Sequence, residues 1–73
     1  MQGNIRRNIG RNIKHLRLQN NLTQLQMAEL LFVSDKVVSK WENNVSLPDV
    51  LLLPKIAALF GVSIETLFSD NLK

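Results

Sequence analysis

The chain has 73 residues, a net charge of +3 and no cysteine. Its length fits one domain near the lower limit for a hydrophobic core, which leaves little room for a deep substrate cavity, so an enzyme is not expected. Without cysteine, disulfides and thiolate metal sites are excluded, and a reducing cytoplasm suits the composition.

The charge is distributed unevenly along the chain. Residues 1–40 hold seven basic and two acidic side chains, for a net charge of +5, whereas residues 41–73 carry a net charge of −2. A basic half favours a polyanionic partner such as nucleic acid. No apolar run approaches membrane-spanning length, so no membrane contact is predicted.

The first half of the chain begins with a helical pattern. Apolar residues recur at intervals of four, four and three, and polar or basic residues lie between them. The recurring positions are Ile5, Ile9, Ile13 and Leu16. This spacing predicts a first helix over residues 4–20.

A repeated local pattern predicts three further helix starts. At Thr23, Ser34 and Ser63, a hydroxyl residue follows an apolar residue and precedes another apolar residue by four positions. This is typical of a helix N-cap with a hydrophobic staple, and Gln26 completes a capping box after Thr23. The predicted helices span residues 23–31, 34–43 and 63–68.

The fourth helix start is marked less clearly. Residues 46–49 form a turn, and Pro54 suits a first helical turn, so a helix over residues 50–60 is predicted, with Gly61 in the left-handed position after it. The tail, residues 69–73, is expected to fray. The whole is predicted to be one compact, all-α, five-helix domain over residues 1–73.

The second and third helices are separated by two residues, Phe32 and Val33, and so short a connection predicts a helix-turn-helix. On a helical wheel, Val38 and Trp41 point into the core. The outward face of the third helix is polar and cationic, with side chains that reach base edges and phosphates. Its members are Asp35, Lys36, Ser39, Lys40 and Asn43. The alternative is an ordinary solvated helix surface.

These residues resemble a known family. The matching segments are residues 22–24, 27–28, 33–44, 48–49 and 60–63. They are similar to the Cro/lambda-repressor-like helix-turn-helix proteins, also called the Xre family, over residues 9–68. The resemblance implies a lambda-repressor-like fold and a sequence-specific transcriptional regulator, most simply a repressor, that binds double-stranded DNA with residues 34–43 in the major groove.

The resemblance also implies roles for individual side chains. Asp35, Lys36 and Lys40 occupy the base-reading positions, although Asp35 serves equally well as a helix-stabilising acid. The implied phosphate contacts are Gln24, Ser39, Asn43 and Asn44. For Gln24 the alternative is an ordinary surface residue in the capping turn. Arg17 and Glu42 match a structural ion pair that orients the third helix.

Two positions depart from the family pattern. Phe32 stands where the family usually has glycine in the turn, so the sequence predicts either a strained left-handed residue or a different turn, and an exposed apolar contact for a partner is a further reading. Asn44 also replaces a common glycine, which is a mild change because Asn tolerates the left-handed region.

No catalytic residues, metal ligands or cofactors are predicted, because one histidine and no cysteine form no recognisable constellation. A homodimer is expected, and Leu51, Leu52 and Phe68 are surplus apolar residues suited to its interface. The alternatives are an antitoxin or protein-interaction module with a protein partner, or the DNA-binding part of a longer regulator with a fused sensor domain. The expected location is the cytoplasm, at the nucleoid.

Overall fold

A computed structural model describes residues 5–70, with side chains from residue 8 onward. Within this range the chain forms five helices and no strand. They are α1 (Ile5–Gln19), α2 (Gln24–Leu31), α3 (Asp35–Glu42), α4 (Leu53–Phe60) and α5 (Ile64–Leu67). The all-α, five-helix prediction is confirmed. Residue 4 of the predicted first helix and residues 71–73 of the predicted tail lie outside the described residues.

Side-chain caps begin three of the helices. Thr23 forms a capping box with Gln26 at the start of α2: its Oγ1 accepts from the Gln26 backbone N–H at 3.0 Å, and the Gln26 Oε1 accepts from the Thr23 N–H at 2.9 Å. Ser34 and Ser63 cap α3 and α5 in the same way through a single hydroxyl bond each. Each cap satisfies a backbone N–H that the helix leaves unpaired.

The fourth helix begins later than the sequence predicts, at Leu53 rather than residue 50. The Asp49 carboxylate accepts from the Leu51 backbone N–H at 2.8 Å, and the Leu52 N–H bonds to the Asp49 carbonyl at 2.8 Å. These two bonds form a turn over residues 49–52. Pro54 then lies in the first helical turn, where its missing N–H costs nothing.

Four helices end in the same Schellman motif. A left-handed residue follows the helix, and the next N–H bonds to the carbonyl five residues earlier at 2.9–3.1 Å. The left-handed residues are Asn21, Phe32, Asn44 and Gly61, with φ between 57° and 67°. In three cases the next two residues are an apolar residue and a hydroxyl cap, so one short segment ends one helix and begins another.

The core is a single cluster to which all five helices contribute, and α1 crosses it with Ile9, Ile13 and Leu16. Gly10 allows α1 to approach the end of α3 closely. A Cβ at this position would overlap the Trp41 carbonyl oxygen and lie 2.7 Å from the Asn44 Oδ1. Glycine is therefore required there by packing, because any side chain would push α1 away from α3.

The first two residues of the tail that the sequence predicts to fray, Ser69 and Asp70, form hydrogen bonds to α1. The buried amide of Asn12 donates to the carbonyls of Thr66, Leu67 and Ser69, at 2.8–3.3 Å. Asn8 donates to the Asp70 carboxylate, and the Arg11 guanidinium bonds the Asp70 carbonyl at 3.1 Å. Side chains of α1 thus hold the end of the described chain against the domain.

Candidate nucleic-acid interface

The third helix has two chemically different faces. Val38 and Trp41 are buried in the core, while Asp35, Lys36 and Lys40 are exposed on the opposite side. None of these three charged side chains forms an ion pair or a hydrogen bond with another described residue. The outer face of α3 therefore presents two unpaired cations and one carboxylate to solvent.

Packing against α2 fixes the direction in which this face points. Met27, Ala28 and Leu31 of α2 lie in the same buried cluster as Val38 and Trp41. The two helices are joined through the left-handed Phe32 and the cap at Ser34. The outer face of α3 is consequently presented on a rigid helix pair, which suits a surface that must enter a groove of defined width.

The end of α3 is tied to α1 by an ion pair. The Arg17 Nε lies 2.6 Å from the Glu42 Oε2, and the Arg17 Nη2 lies 3.0 Å from the Glu42 Oε1. A third Arg17 nitrogen, Nη1, donates to the Leu22 carbonyl at 2.8 Å. The fork of the guanidinium matches the carboxylate in a two-bond arrangement that a lysine cannot reproduce.

Gln24 joins the same cluster. It is the first residue of α2, it is half-buried, and its Nε2 donates to the Glu42 Oε1 at 3.1 Å. The structure thus brings together three of the residues singled out from the sequence, Arg17, Gln24 and Glu42. The link between Gln24 and Glu42 was not predicted, because nothing in the spacing of residues 24 and 42 indicates that they meet.

Ser39 and Asn43 also contact each other. The Asn43 amide nitrogen donates to the Ser39 carbonyl at 2.9 Å and to its Oγ at 3.1 Å. The Ser39 hydroxyl therefore acts as an acceptor within the protein, and its own proton remains free to be donated outward. Asn43 is occupied in closing the last turn of α3.

Asn44 is placed differently from the other predicted phosphate contacts. It is left-handed, with φ of 61°, and its Oδ1 lies beside Gly10 on α1. Its geometry turns the chain away from α3. The role of Gly10 at this site was not predicted from the sequence, because it depends on how closely α1 packs on α3.

A second surface feature surrounds Phe32, whose side chain is 91% exposed. It borders an open groove of about 440 Å³ between the end of α2 and α4, lined by Leu30, Leu31, Phe32, Lys55, Ala58 and Leu59. We call this the Phe32 groove. Of the two turns that the sequence leaves open, the left-handed one is observed, with φ of 60° and ψ of 41° at Phe32.

Apolar side chains are also exposed in the segment between α3 and α4. They are Val45, Leu47, Val50 and Leu51. The sequence predicts that three apolar residues, Leu51, Leu52 and Phe68, are surplus to the core. That is wrong for Leu52 and Phe68, which are half-buried and pack against the core cluster, because the turn at residues 49–52 directs Leu52 inward.

Comparison with known proteins places the chain in a family. A family model described as helix-turn-helix matches residues 13–67, which is most of the chain, so the protein belongs to this helix-turn-helix family. The resemblance to the Cro/lambda-repressor-like proteins is thereby confirmed. Among the described residues, no helix combines the length and apolar character needed to cross a membrane.

Two curated relatives share substantial sequence with the chain. It is 42% identical over 59 residues to the HTH-type transcriptional activator BcrR of Enterococcus faecalis, matching 81% of this chain and 29% of the relative. It is 40% identical over 63 residues to the antitoxin PezA of Streptococcus pneumoniae, matching 86% of this chain and 40% of the relative. The chain therefore spans less than half the length of these relatives.

Two solved structures share the fold. The P22 c2 repressor, in complex with a synthetic operator, superposes with a TM-score of 0.79 at 21% identity, over 86% of this chain and 96% of the repressor. The hydroxypropylphosphonic acid epoxidase of S. wedmorenis gives a TM-score of 0.81 at 26% identity, over 92% of this chain but only 36% of the enzyme. The likeness to the enzyme is confined to one part of it.

Proposed function

We propose that the protein binds double-stranded DNA sequence-specifically and regulates transcription, with α3 in the major groove. The observation that supports this proposal most strongly is that Asp35, Lys36 and Lys40 are exposed and unpaired on the outer face of α3. The other face of the same helix is buried in the core. Membership of the helix-turn-helix family supports it. A regulator that occupies an operator blocks transcription most simply, so repression is the proposed outcome, and no catalytic role is proposed.

In the proposed complex, base contacts and phosphate contacts come from different residues. Lys36 and Lys40 donate to guanine, and Asp35 accepts from the amino group of cytosine. Ser39 donates its free hydroxyl proton to phosphate while Asn43 holds it in place, and Gln24 contacts phosphate at the start of α2. Asn44 contributes by turning the chain at the end of α3.

Selection of bound duplexes from a random pool tests the base contacts. Two lysines on the reading face predict enrichment of guanine in each half-site for the wild-type protein. Selection with Lys36→Ala is expected to lose guanine at one position and keep the rest. Selected pools with no guanine enrichment would remove the lysine readout from the proposal.

We also propose that the domain acts as a homodimer through the exposed apolar segment between α3 and α4. The supporting observation is that four apolar side chains close together in sequence are exposed there, and exposed apolar surface favours association. They are Val45, Leu47, Val50 and Leu51. A two-fold dimer would place two copies of α3 about 34 Å apart, one helical turn of DNA.

Sedimentation of wild type beside Val50→Glu/Leu51→Glu tests the dimer. The expected result is a dimer on operator DNA for wild type and a monomer for the variant, which retains its fold because both positions are exposed. Leu18→Glu/Ile64→Glu, at two exposed apolar positions outside this segment and with the same change in net charge, serves as the matched control. Equal dimerisation of all three proteins would contradict the proposal.

A second function is favoured by the Phe32 groove: binding of a protein partner, as in an antitoxin. An exposed aromatic side chain beside an apolar groove is typical of an anchor for a partner protein. The 40% identity to an antitoxin over 63 residues supports this alternative. Phe32→Gly should abolish partner co-purification and leave DNA binding unchanged; retention of the partner by that variant would count against this surface.

A further inference from the structure

The carboxylate of Glu42 is the centre of a polar cluster that joins α1, α2 and α3. Its side chain is 2% exposed, and it accepts three hydrogen bonds from charged or amide donors. Two of them come from Arg17 on α1 and one from Gln24 at the start of α2. Because Glu42 is the last residue of α3, one carboxylate joins the ends of three helices.

This contact fixes the orientation of the Gln24 amide. A carboxylate only accepts hydrogen bonds, so Gln24 must turn its nitrogen, rather than its oxygen, toward Glu42. A phosphate oxygen likewise only accepts. The amide nitrogen has two N–H groups, and when one is held by Glu42 the other remains to be donated elsewhere. An unrestrained amide would present its oxygen to a phosphate as readily as its nitrogen.

Arg17 makes this arrangement compatible with a nearby anion. An unpaired carboxylate at the end of α3 would repel a phosphate within a Debye length of about 10 Å. The guanidinium of Arg17, bonded to both carboxylate oxygens at 2.6 and 3.0 Å, cancels that charge. The pair presents a hydrogen-bond acceptor to Gln24 without a net negative charge.

We propose that Glu42 is a positioning residue for the phosphate contact: it accepts one N–H of the Gln24 amide and leaves the other N–H for a phosphate oxygen. Glu42 thereby couples the phosphate contact of α2 to the end of α3. The inference rests on the proposed DNA-binding function. Glu42 itself does not touch DNA in this arrangement, and Arg17 keeps it electrically neutral.

A double-mutant cycle in duplex affinity tests the coupling. Gln24→Ala is expected to weaken binding roughly tenfold, as for a hydrogen bond to a charged group. Glu42→Gln should weaken it by a similar factor, because an amide at residue 42 can donate as well as accept and no longer obliges Gln24 to present its nitrogen. The double variant should lose no more than the larger single loss, because both changes act through the same contact. Affinities are corrected for the folded fraction measured by circular dichroism.

The outcomes separate this role from the function on which it rests. Losses that multiply in the double variant overturn the positioning role, since Glu42 would then act on α3 independently of Gln24. Wild-type protein that binds no duplex overturns the proposed function and this role with it. Glu29→Gln, an equal charge change on an exposed residue of α2, is the matched control and should leave affinity within about twofold.

If Glu42→Gln fails to fold, nuclear magnetic resonance of the wild-type protein tests the orientation of the Gln24 amide. One Nε2 proton of Gln24 should exchange slowly and the other should shift when duplex is added. Gln26 is the internal reference, because its oxygen is the bonded atom and its nitrogen has no bonded partner among residues 5–70. Two Gln24 protons that exchange as fast as those of Gln26 would overturn the proposal.

Discussion

The corner between α2 and α3 and the corner between α4 and α5 have nearly the same backbone but different residues at the left-handed position. Phe32 has φ and ψ of 60° and 41°, and Gly61 has 67° and 32°. Each is followed by valine and a capping serine, Ser34 or Ser63. Glycine adopts this conformation freely, whereas phenylalanine pays about 1 kcal/mol or more.

Burial of the side chain does not offset the cost at Phe32. Its side chain is 91% exposed, so packing contributes little to stability. Asn21 and Asn44, at the two remaining positions of this type, are residues that tolerate the left-handed region. The same backbone is therefore less stable at the α2–α3 corner than at the α4–α5 corner, and what Phe32 adds at its corner is an exposed apolar surface.

The two helix pairs are also held differently at the ends away from these corners, and the largest expected effect tests this. Glu42→Gln, at the far end of α3, leaves the Arg17 guanidinium without its charged partner, which should lower the free energy of unfolding by about 3 kcal/mol. Glu65→Gln, on the exposed first turn of α5, is the control and should change it by less than about 0.5 kcal/mol. Equal values from urea denaturation would show that the ion pair does not stabilise the α2–α3 pair.

The α4–α5 pair is held instead by a neutral amide at the end of α5. Asn12→Ala removes the donor to three carbonyls at the end of α5, one of them buried, and should cost about 2 kcal/mol. Asn20→Ala removes one bond to the Leu16 carbonyl at an exposed position and should cost about 0.5 kcal/mol. Thermal unfolding of both variants measures the difference, and a smaller loss for Asn12→Ala would be inconsistent with the role given to it.

Single substitutions at the left-handed positions should change the free energy of unfolding less, and in opposite directions. Phe32→Gly should raise the free energy of unfolding by about 1 kcal/mol, and Gly61→Ala should lower it by about 1 kcal/mol. A Cβ at residue 61 meets no atom within 4 Å, so the second effect is due to the backbone alone. Destabilisation by Phe32→Gly would mean that the aromatic ring stabilises the fold after all.

Local sequence was sufficient for the features that depend on neighbouring residues. The caps at Thr23, Ser34 and Ser63 and the left-handed Gly61 depend on side chains within a few positions, so the five helices were predictable. The start of α4 was not, because Pro54 fits a helical first turn whether the helix begins at residue 50 or 53. The bond from the Leu51 N–H to the Asp49 carboxylate decides between them.

Features that depend on distant contacts could not be read from the sequence. Ser69 and Asp70 are held by side chains of α1, which lie 57 to 62 positions earlier in the chain. The need for glycine at Gly10 follows from the approach of α1 to Trp41, and the bond between Gln24 and Glu42 from the crossing of three helices. For the site itself, the exposed charges of α3 could be predicted from the sequence, but the contacts that orient Gln24 could not.

The central claim is that the outer face of α3 reads bases, and one comparison of affinities tests it most directly. Lys36→Ala and Lys55→Ala make the same change in net charge, on α3 and on α4. Affinity is measured for a selected duplex and for a scrambled duplex across a salt series. The account predicts that Lys36→Ala loses most of the preference for the selected duplex, whereas Lys55→Ala keeps it. Equal preference in both variants would contradict base reading by α3.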